Sequence, residues 1–394
     1  MGVIEEMVTR SVTNIIPGRE KLLALLASRT PRNVYFGIDP TATHIHLGHA
    51  VPLRKLQTLS ELGHRVTFLI GDFTALIGDS SDKESERPVL TSAQIEQNFQ
   101  TYKAQAEKLL DFRSVTLRYN SEWLGKLTFA DIVALSHHFS AGDFYSREII
   151  RKRLTAGTHV GLHELLYPMM QGYDSYVLDT DIQVGGADQT FNMQAGRILQ
   201  KALRRKESYI LATEFLPGTD GRKMSKTWGN AIWLDDPPDD MFGKIMSLTD
   251  ELIIPYFTHA TNVSTDEVTS VQRRLSDGEN PMLLKKELAV RVVAELHASE
   301  PAQQAKQNFE RAYQKRDLTG VSIPALHLSS GATVHDALSV APFLRSKSES
   351  KRLIAAGSVS VNDVRVTRAN ATDKLKHHDT IRVGKKFGKV ELKK

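Results

Sequence analysis

Three of the chain's 14 histidines fall within six positions, in HIHLGH at residues 44–49. His46 and His49 are three apart, so both imidazoles face one way if a helix begins here. Gly48 between them has no side chain, which lets a ligand approach the backbone. A helix start offers N–H groups and the positive end of the helix dipole to a phosphate, and two imidazoles add donors to the same anion. The alternatives are a polar cap of structural value only, or a metal centre. No nearby carboxylate or cysteine completes a ligand set, so no metal site is expected. His44 reads as a loop residue.

A second stretch, DGRKMSKTWGN (220–230), places Lys223 and Lys226 around Met224 and Ser225, with Thr227 next and Gly221 and Gly229 outside them. Two lysines and two hydroxyls on a glycine-flanked loop can fold over a polyphosphate and stabilise charge on a leaving group. Alone, such a loop reads as solvated surface. In HVGLHE (159–164), His159 and His163 have helical zinc spacing, but Glu164 follows the second histidine instead of the first, which is not the metalloprotease order.

These residues need elements to hold them. NVYFGI (33–38) reads as a buried strand ended by Asp39-Pro40. A helix follows to about Leu62, with Leu53, Leu56 and Leu59 among its apolar positions and Gly63 as its stop. RVTFLIG (65–71) is a second strand, and the strand–helix–strand order predicts a parallel sheet. The histidines therefore sit in a strand-to-helix turn. Residues 20–29 read as a helix before that unit. Beyond it come a helix near 92–110, a strand at 114–120, helices between about 128 and 175, and a strand within YVLDTDIQVGGADQ (176–189). A helix to about Arg205 and a strand at SYILATE (208–214) complete the pattern. After LDDPPDD (234–240) the chain reads as helical to about 315, with LTGVSIPALHLSSGATV (318–334) as a connector. SKSESKRLIAAGSVSVNDVRV (346–366) reads as a helix stopped by Gly357, then strand–turn–strand.

Composition narrows the function. At 394 residues, 41% hydrophobic and 25% charged, the chain suits two or three globular domains. The absence of cysteine excludes disulfides, thiolate metal sites and cysteine nucleophiles. No secretory pattern opens the chain and no apolar run is long enough to span a bilayer, so a cytoplasmic protein with no membrane partner is expected. Residues 343–394 hold 14 Lys or Arg against 5 Asp or Glu, leaving 37 basic and 41 acidic residues in the rest. A basic tail on a mildly acidic body suggests nucleic acid for the tail.

Together, His-x-Gly-His at the first strand–helix turn and Lys-Met-Ser-Lys late in the α/β region resemble the paired motifs of class I aminoacyl-tRNA synthetases. VYFGIDPTA, YPMMQGYD and GGADQ, with IGDSSDKESERP, resemble the bacterial tyrosyl-tRNA synthetases in particular, and the resemblance runs through the tail. It implies that ATP, with Mg²⁺, and tyrosine give tyrosyl-adenylate and pyrophosphate. The tyrosyl group then passes to the 3′ end of tRNA(Tyr). It implies catalysis by His46, His49, Lys223, Lys226, Thr227, Lys83 and Arg87. Tyr35 and Asp174 would hold the tyrosine hydroxyl, and Asp79, Tyr167 and Gln171 the ammonium. Tyr167, Gln171 and Asp174, spaced 4 and 3 apart, share a helical face. Asp188 and Gln189 match a pair touching ribose and substrate. Gly37, Asp39, Gly48, Gly186 and Met224 join the ATP site with both histidines and both lysines. Arg345, Lys347, Lys351 and Arg352 would meet RNA phosphates. The family's usual GDPSG is GDSSD here, Phe36 stands where relatives carry a small polar residue or cysteine, and Thr227 replaces a serine.

The resemblance implies a homodimer and no tightly bound cofactor. The fold class expected is α/β: a Rossmann-like parallel-sheet catalytic domain at 1–230, an α-helical anticodon-side domain at 231–317, the connector at 318–334, and a small α+β RNA-binding module at 335–394. Two rivals stand beside this reading. A tryptophanyl-tRNA synthetase has no use for the Tyr35 and Asp174 pair, since an indole has no hydroxyl. A non-catalytic RNA-binding protein on this scaffold has no use for the intact histidines and lysines.

Overall fold

The computed structural model describes residues 2–79, 91–225, 228–311, 324–341, 347–367, 370–384 and 386–393. The chain forms two compact units, residues 1–306 and 307–394.

The first unit is built on six strands: β1 (Val12–Ile16), β2 (Asn33–Ile38), β3 (Arg65–Ile70), β4 (Val115–Tyr119), β5 (Ile182–Gly186) and β6 (Tyr209–Thr213). Their order in the sheet is β1-β6-β5-β2-β3-β4. All neighbours are parallel except the edge pair β1–β6. The parallel strands are the near-continuous apolar runs expected of a sheet covered on both faces; Val66, Phe68, Leu69 and Ile70 of β3 are all buried. The chain runs outward from β2 through β3 to β4, then returns to lay β5 on the other side of β2. The order reverses between β2 and β5, the switch point at which sheets of this kind place a ligand crevice outside the carboxyl ends of their strands.

The helix after β2 begins as a 3₁₀ turn, Leu47–His49, and continues as Ala50–Glu61. Leu53, Leu56 and Leu59 form its buried stripe, and Gly63, at φ +84°, ends it in a conformation that costs glycine nothing. The edge strand β1 and the helix Val3–Thr9 before it go unread in the sequence. In β1, polar Thr13 and Asn14 stand between the apolar ends, so the alternation that marks a half-buried strand is broken.

From Pro238 onward the first unit is helical: Pro238–Met246, Ile253–Ala260, Thr265–Ser276, Pro281–His297 and most of Ser299–Phe309, whose last three residues fall in the second unit. Two starts carry the expected signals. The Ser264 side chain accepts from the Glu267 N–H, and Asn280 caps a helix opened by Pro281. Phe242, Phe257, Leu284, Leu288 and Val292 are fully buried among these helices.

The second unit has a five-stranded sheet in the order β7-β11-β10-β8-β9. Its strands are β7 (Ala325–Ser329), β8 (Val359–Val361), β9 (Val364–Arg365), β10 (Thr380–Val383) and β11 (Lys386–Lys393), with helices Val334–Val340 and Lys347–Ala355. Asn362 and Asp363 both take positive φ between β8 and β9, the geometry of a tight hairpin turn. One difference from the sequence reading is instructive. Within the stretch read as a connector, β7 pairs in parallel with β11, and Leu326 and Leu328 lie in the same core as Ile354, Ile381 and Val390. The alternation of these leucines with exposed His327 and Ser329 is an edge-strand pattern, hidden by the polar, glycine-containing SSG that follows. No helix among the described residues is long and apolar enough to cross a membrane.

Candidate active site

His46 and His49 stand at the mouth of the crevice. His46 is the N-cap of the 3₁₀ turn, with extended backbone, and its ring lies 3.9 Å from that of His49. The Nδ1 atoms of both are buried and have no hydrogen-bond partner among the described residues. Burial, then the positive charge of Lys223, lowers the pKa of His49 to about 4; burial, His49 and Lys223 hold His46 well below the usual imidazole range. Both rings are therefore neutral at pH 7 and offer N–H donors without carrying charge. Gly48 has a more local reason than ligand approach. A Cβ there would stand 2.9 Å from Nδ1 of His46, so a side chain would displace the ring.

The other wall is a polar network under an apolar roof. The helix Leu162–Val177 carries Tyr167, Gln171 and Asp174. The Tyr167 hydroxyl donates to Asp39 Oδ2 (2.8 Å), just beyond the end of β2, while Thr74 Oγ1 donates to Asp39 Oδ1 (2.8 Å). Asn120 Nδ2 donates both to Thr74 Oγ1 (2.9 Å) and to Asp174 Oδ2 (3.3 Å). Trp123 Nε1 donates to Asp174 Oδ1 (2.7 Å). Burial raises the Asp174 pKa to about 8 against these two donors, so the acid is largely protonated at neutral pH. Tyr35, on β2, is buried beside it; its hydroxyl lies 3.4 Å from Gln171 O and 3.3 Å from Gln183 Oε1. Burial and then the Asp174 charge push its pKa well up. Gly71 is required for this network, since a Cβ there would overlap the Asp39 carboxylate.

Between the two walls, Gln189 Nε2 donates to Asp79 Oδ2 (2.7 Å), and Asn192 Nδ2 holds Gln189 Oε1 (3.0 Å). Gly186 closes β5; a Cβ there would meet Asp188 Oδ1 at 2.6 Å. Gly37 lies on β2, next to the Tyr35 ring and Leu69, and is exposed.

The lysine loop rises from β6. Lys223 Nζ lies 3.6 Å from Asp188 Oδ2 and 5.3 Å from the centre of the Phe215 ring. Its charge also reaches both histidines, so this one side chain connects the loop, the β5 end and the histidine turn. Gly221 and Gly229 both take positive φ, as turns on either side of the lysines require. Buried Asn230 pins the loop. Its amide donates to Asp220 (2.7 Å) and to Lys223 O (3.1 Å), and its oxygen accepts from the Ser225 N–H (2.8 Å). Met224 packs inside.

Of the residues singled out from sequence, Lys83, Arg87, Lys226, Thr227 and Arg345 lie outside the described residues. Lys347 opens the helix Lys347–Ala355, on which Lys351 and Arg352 are exposed. Glu164, near His159 and His163, is committed elsewhere: its carboxylate takes a bidentate contact from buried Arg153 (2.6 and 3.0 Å) and accepts from the Gly161 N–H. His44, read as a plain loop residue, pairs through Nδ1 with Asp235 Oδ2 (2.7 Å). Sequence reading missed Thr74, Asn120, Trp123, Gln183 and Asn230. They contact the named residues from far along the chain or from across a loop, and no local pattern announces them.

The family of class I tRNA synthetases for tryptophan and tyrosine matches residues 27–314. The tyrosine–tRNA ligase of Thermotoga maritima is 36% identical over 97% of this chain and 95% of its own length. That of Symbiobacterium thermophilum is 38% identical over 100% of this chain and 99% of its own. Among solved structures, a C-terminally truncated mitochondrial tyrosyl-tRNA synthetase of Aspergillus nidulans superposes with a TM-score of 0.67 at 21% identity, over 79% of this chain and 94% of that one, a likeness of fold. With the paired motifs at one switch point and kinship along the full length, the chain belongs to the class I aminoacyl-tRNA synthetases, in their bacterial tyrosyl branch.

Proposed function

We propose that the chain activates tyrosine with ATP and transfers it to tRNA(Tyr), and that the crevice between β2 and β5 is where it does so. The observation that carries the choice of amino acid is the buried pair Tyr35 and Asp174, set in a polar network beside an apolar cluster of Leu69, Trp123 and Leu124. A protonated carboxyl and a phenol can each give and take a hydrogen bond, which suits a substrate hydroxyl and nothing on an indole. Asp79, Tyr167 and Gln171 then face the ammonium end, where oxygen acceptors are wanted, and Gln189, with Asp188, serves the ribose and substrate. The α-carboxylate attacks the α-phosphate, and pyrophosphate leaves.

No covalent nucleophile is needed; positioning and charge stabilisation drive the reaction. His46 and His49 donate to the phosphates as neutral imidazoles, and Lys223, with Lys226 and Thr227 of the same loop and Lys83 and Arg87, takes the growing negative charge. Gly37, Asp39, Gly48, Gly186, Asp188 and Met224 border the nucleoside, and Mg²⁺ would accompany ATP and supply charge neutralisation. The helices within residues 231–317 serve the anticodon side of the tRNA. The basic module at the C-terminus, with Arg345, Lys347, Lys351 and Arg352, meets RNA phosphates. Exposed Phe129, Val133, Leu154 and Leu162 accord with a symmetric dimer, and a cysteine-free chain accords with the cytoplasm.

Pyrophosphate exchange measured with tyrosine and with tryptophan tests the reading. Exchange that depends on tyrosine alone is expected; exchange with tryptophan, or none with either, would overturn it.

A further inference from the structure

The segment that follows the lysine loop, IWLD at residues 232–235, runs antiparallel to residues 44–47. The Leu47 N–H donates to Ile232 O (2.7 Å), and the Leu234 N–H donates to Ile45 O (2.9 Å). His46 and Trp233 are the paired residues of this bridge. Side chains alternate across it as in any extended pair. Ile45, Leu47, Ile232 and Leu234 are wholly buried on one face. On the other, Trp233 lies 6.1 Å from the His46 ring and 5.7 Å from His44, and His44 closes the face through its pair with Asp235. The histidine ring is thus wedged, with Trp233 on one side, His49 at 3.9 Å on another, and the glycine-sized gap of Gly48 leaving room for it.

The segment is itself anchored on all sides. The Trp233 N–H donates to Asp236, Lys244 holds Asp236, Lys108 donates to Leu234 O, and Gln105 accepts from the Ile45 N–H. Only Ala231 and Ile232 separate Trp233 from Asn230, the pin of the lysine loop. A hydrogen-bonded strip of backbone therefore joins the two motifs that meet the nucleotide.

We propose that Trp233 is a positioning residue for tyrosine activation: across the backbone bridge it fixes the His46 imidazole in its donor orientation and ties that orientation to the lysine loop. The proposal rests on the reading of His46 as a phosphate donor. Trp233 touches no reacting atom, and its effect passes through His46.

Pre-steady-state formation of tyrosyl-adenylate is the test, with Trp233→Leu, Trp233→Phe and Trp233→Leu combined with His46→Ala. A loosened donor at a reacting phosphate costs about 10- to 100-fold in rate. Trp233→Leu should lose that much with the tyrosine KM unchanged, and Trp233→Phe, which keeps a flat ring, should recover most of it. In the His46→Ala background the Trp233→Leu change should cost nothing further, since the ring it orients is gone. A role confined to folding would lower both backgrounds equally and would not be rescued by phenylalanine. The proposal is overturned by a wild-type rate in Trp233→Leu or by equal losses with and without His46. If Trp233→Leu does not fold, Trp233→Met takes its place in the same cycle. Wild-type protein without tyrosine-dependent exchange would instead sink the functional reading, so the two failures are told apart.

Discussion

The two ends of the crevice are built on opposite plans. At the Asp174 end, a chain of hydrogen bonds links the polar side chains: Tyr167 to Asp39, Asp39 to Thr74, Thr74 and Asp174 to Asn120, and Asp174 to Trp123. At the histidine end, two buried Nδ1 atoms have no hydrogen-bond partner among the described residues, and Lys223 pairs with Asp188 at 3.6 Å. A satisfied buried network is rigid and selective, because any ligand group that fails to replace a partner leaves a costly orphan. Two neutral imidazoles and a lysine are suited to charge that appears only during reaction. Under the proposed function, one end serves recognition and the other serves rate.

The sharpest way to break that division is to remove a donor from the rate end. His46→Ala should slow tyrosyl-adenylate formation by ~2.7–4 kcal/mol of lost stabilisation, the usual cost of one such donor. Tyrosine affinity should stay at its wild-type value, because the tyrosine end does not involve His46. Stopped-flow adenylation alongside equilibrium tyrosine binding reads both quantities. A variant that bound tyrosine poorly but reacted at the normal rate would reverse the assignment.

The recognition end should answer in selectivity instead of rate. Asp174→Ala should weaken discrimination of tyrosine over phenylalanine by roughly 10- to 100-fold, the value of one buried hydrogen bond of ~1.5–3 kcal/mol. Tyrosyl-tRNA synthetases are the type case for rejecting an analogue that lacks a hydroxyl, so their figure of ~10⁵ for the intact site is the enzyme class's and not an outcome of the present geometry. The ratio of kcat/KM for the two amino acids in pyrophosphate exchange is the measurement. An unchanged ratio would remove Asp174 from the hydroxyl's neighbourhood.

How much of this contrast could be read beforehand also divides by end. The histidine turn, the lysine loop and the Tyr167, Gln171 and Asp174 face are local patterns, legible from spacing. The strand–helix alternation placed the histidines at a strand end before any coordinates. What holds Asp174 was not legible: Asn120 and Trp123 lie 54 and 51 residues before it, in a short stretch that reads as the end of a strand. Trp233 was hidden for the same reason, since a backbone bridge between residues 46 and 233 leaves no periodic mark. The strand β7 was missed because its alternation is only two leucines long. Local chemistry is written locally; the partners that tune it are supplied by topology.

Neither end should notice the loss of the basic module. The cut belongs before Ala325, because a cut at residue 335 would leave β7 without its partner strand β11. Removal of residues 324–394 should leave adenylate formation nearly intact. Binding of tRNA should weaken and depend less steeply on salt, by roughly 0.7–0.9 in the log–log slope for each RNA phosphate that the module neutralises. A folded truncated protein that fails at pyrophosphate exchange, or one that keeps the full salt slope, would contradict this division of labour.

The pH dependence of stability in the ligand-free protein sets the two ends directly against each other. The Asp174 pKa is raised by burial from 3.8 to about 8. Between those values the folded protein holds a proton that the unfolded chain has released, so its contribution is fully present at low pH and is lost as pH rises toward 8. The His49 pKa is lowered by burial from 6.5 to about 4. Between those values the unfolded chain binds a proton that the folded protein refuses, so its contribution is present above 6.5 and is lost as pH falls toward 4. From about 4 to 6.5 the two groups oppose each other; from 6.5 to 8 only Asp174 acts. Urea midpoints for wild type, Asp174→Asn and His49→Asn across this range separate them. The Asp174→Asn protein should gain on wild type steadily from pH 6.5 to 8, and the His49→Asn protein should gain on it as pH drops below 6.5. A constant offset between Asp174→Asn and wild type over the upper window would mean that the carboxyl is ionised in the folded protein, and that the recognition end is held by a charge and not by a neutral acid.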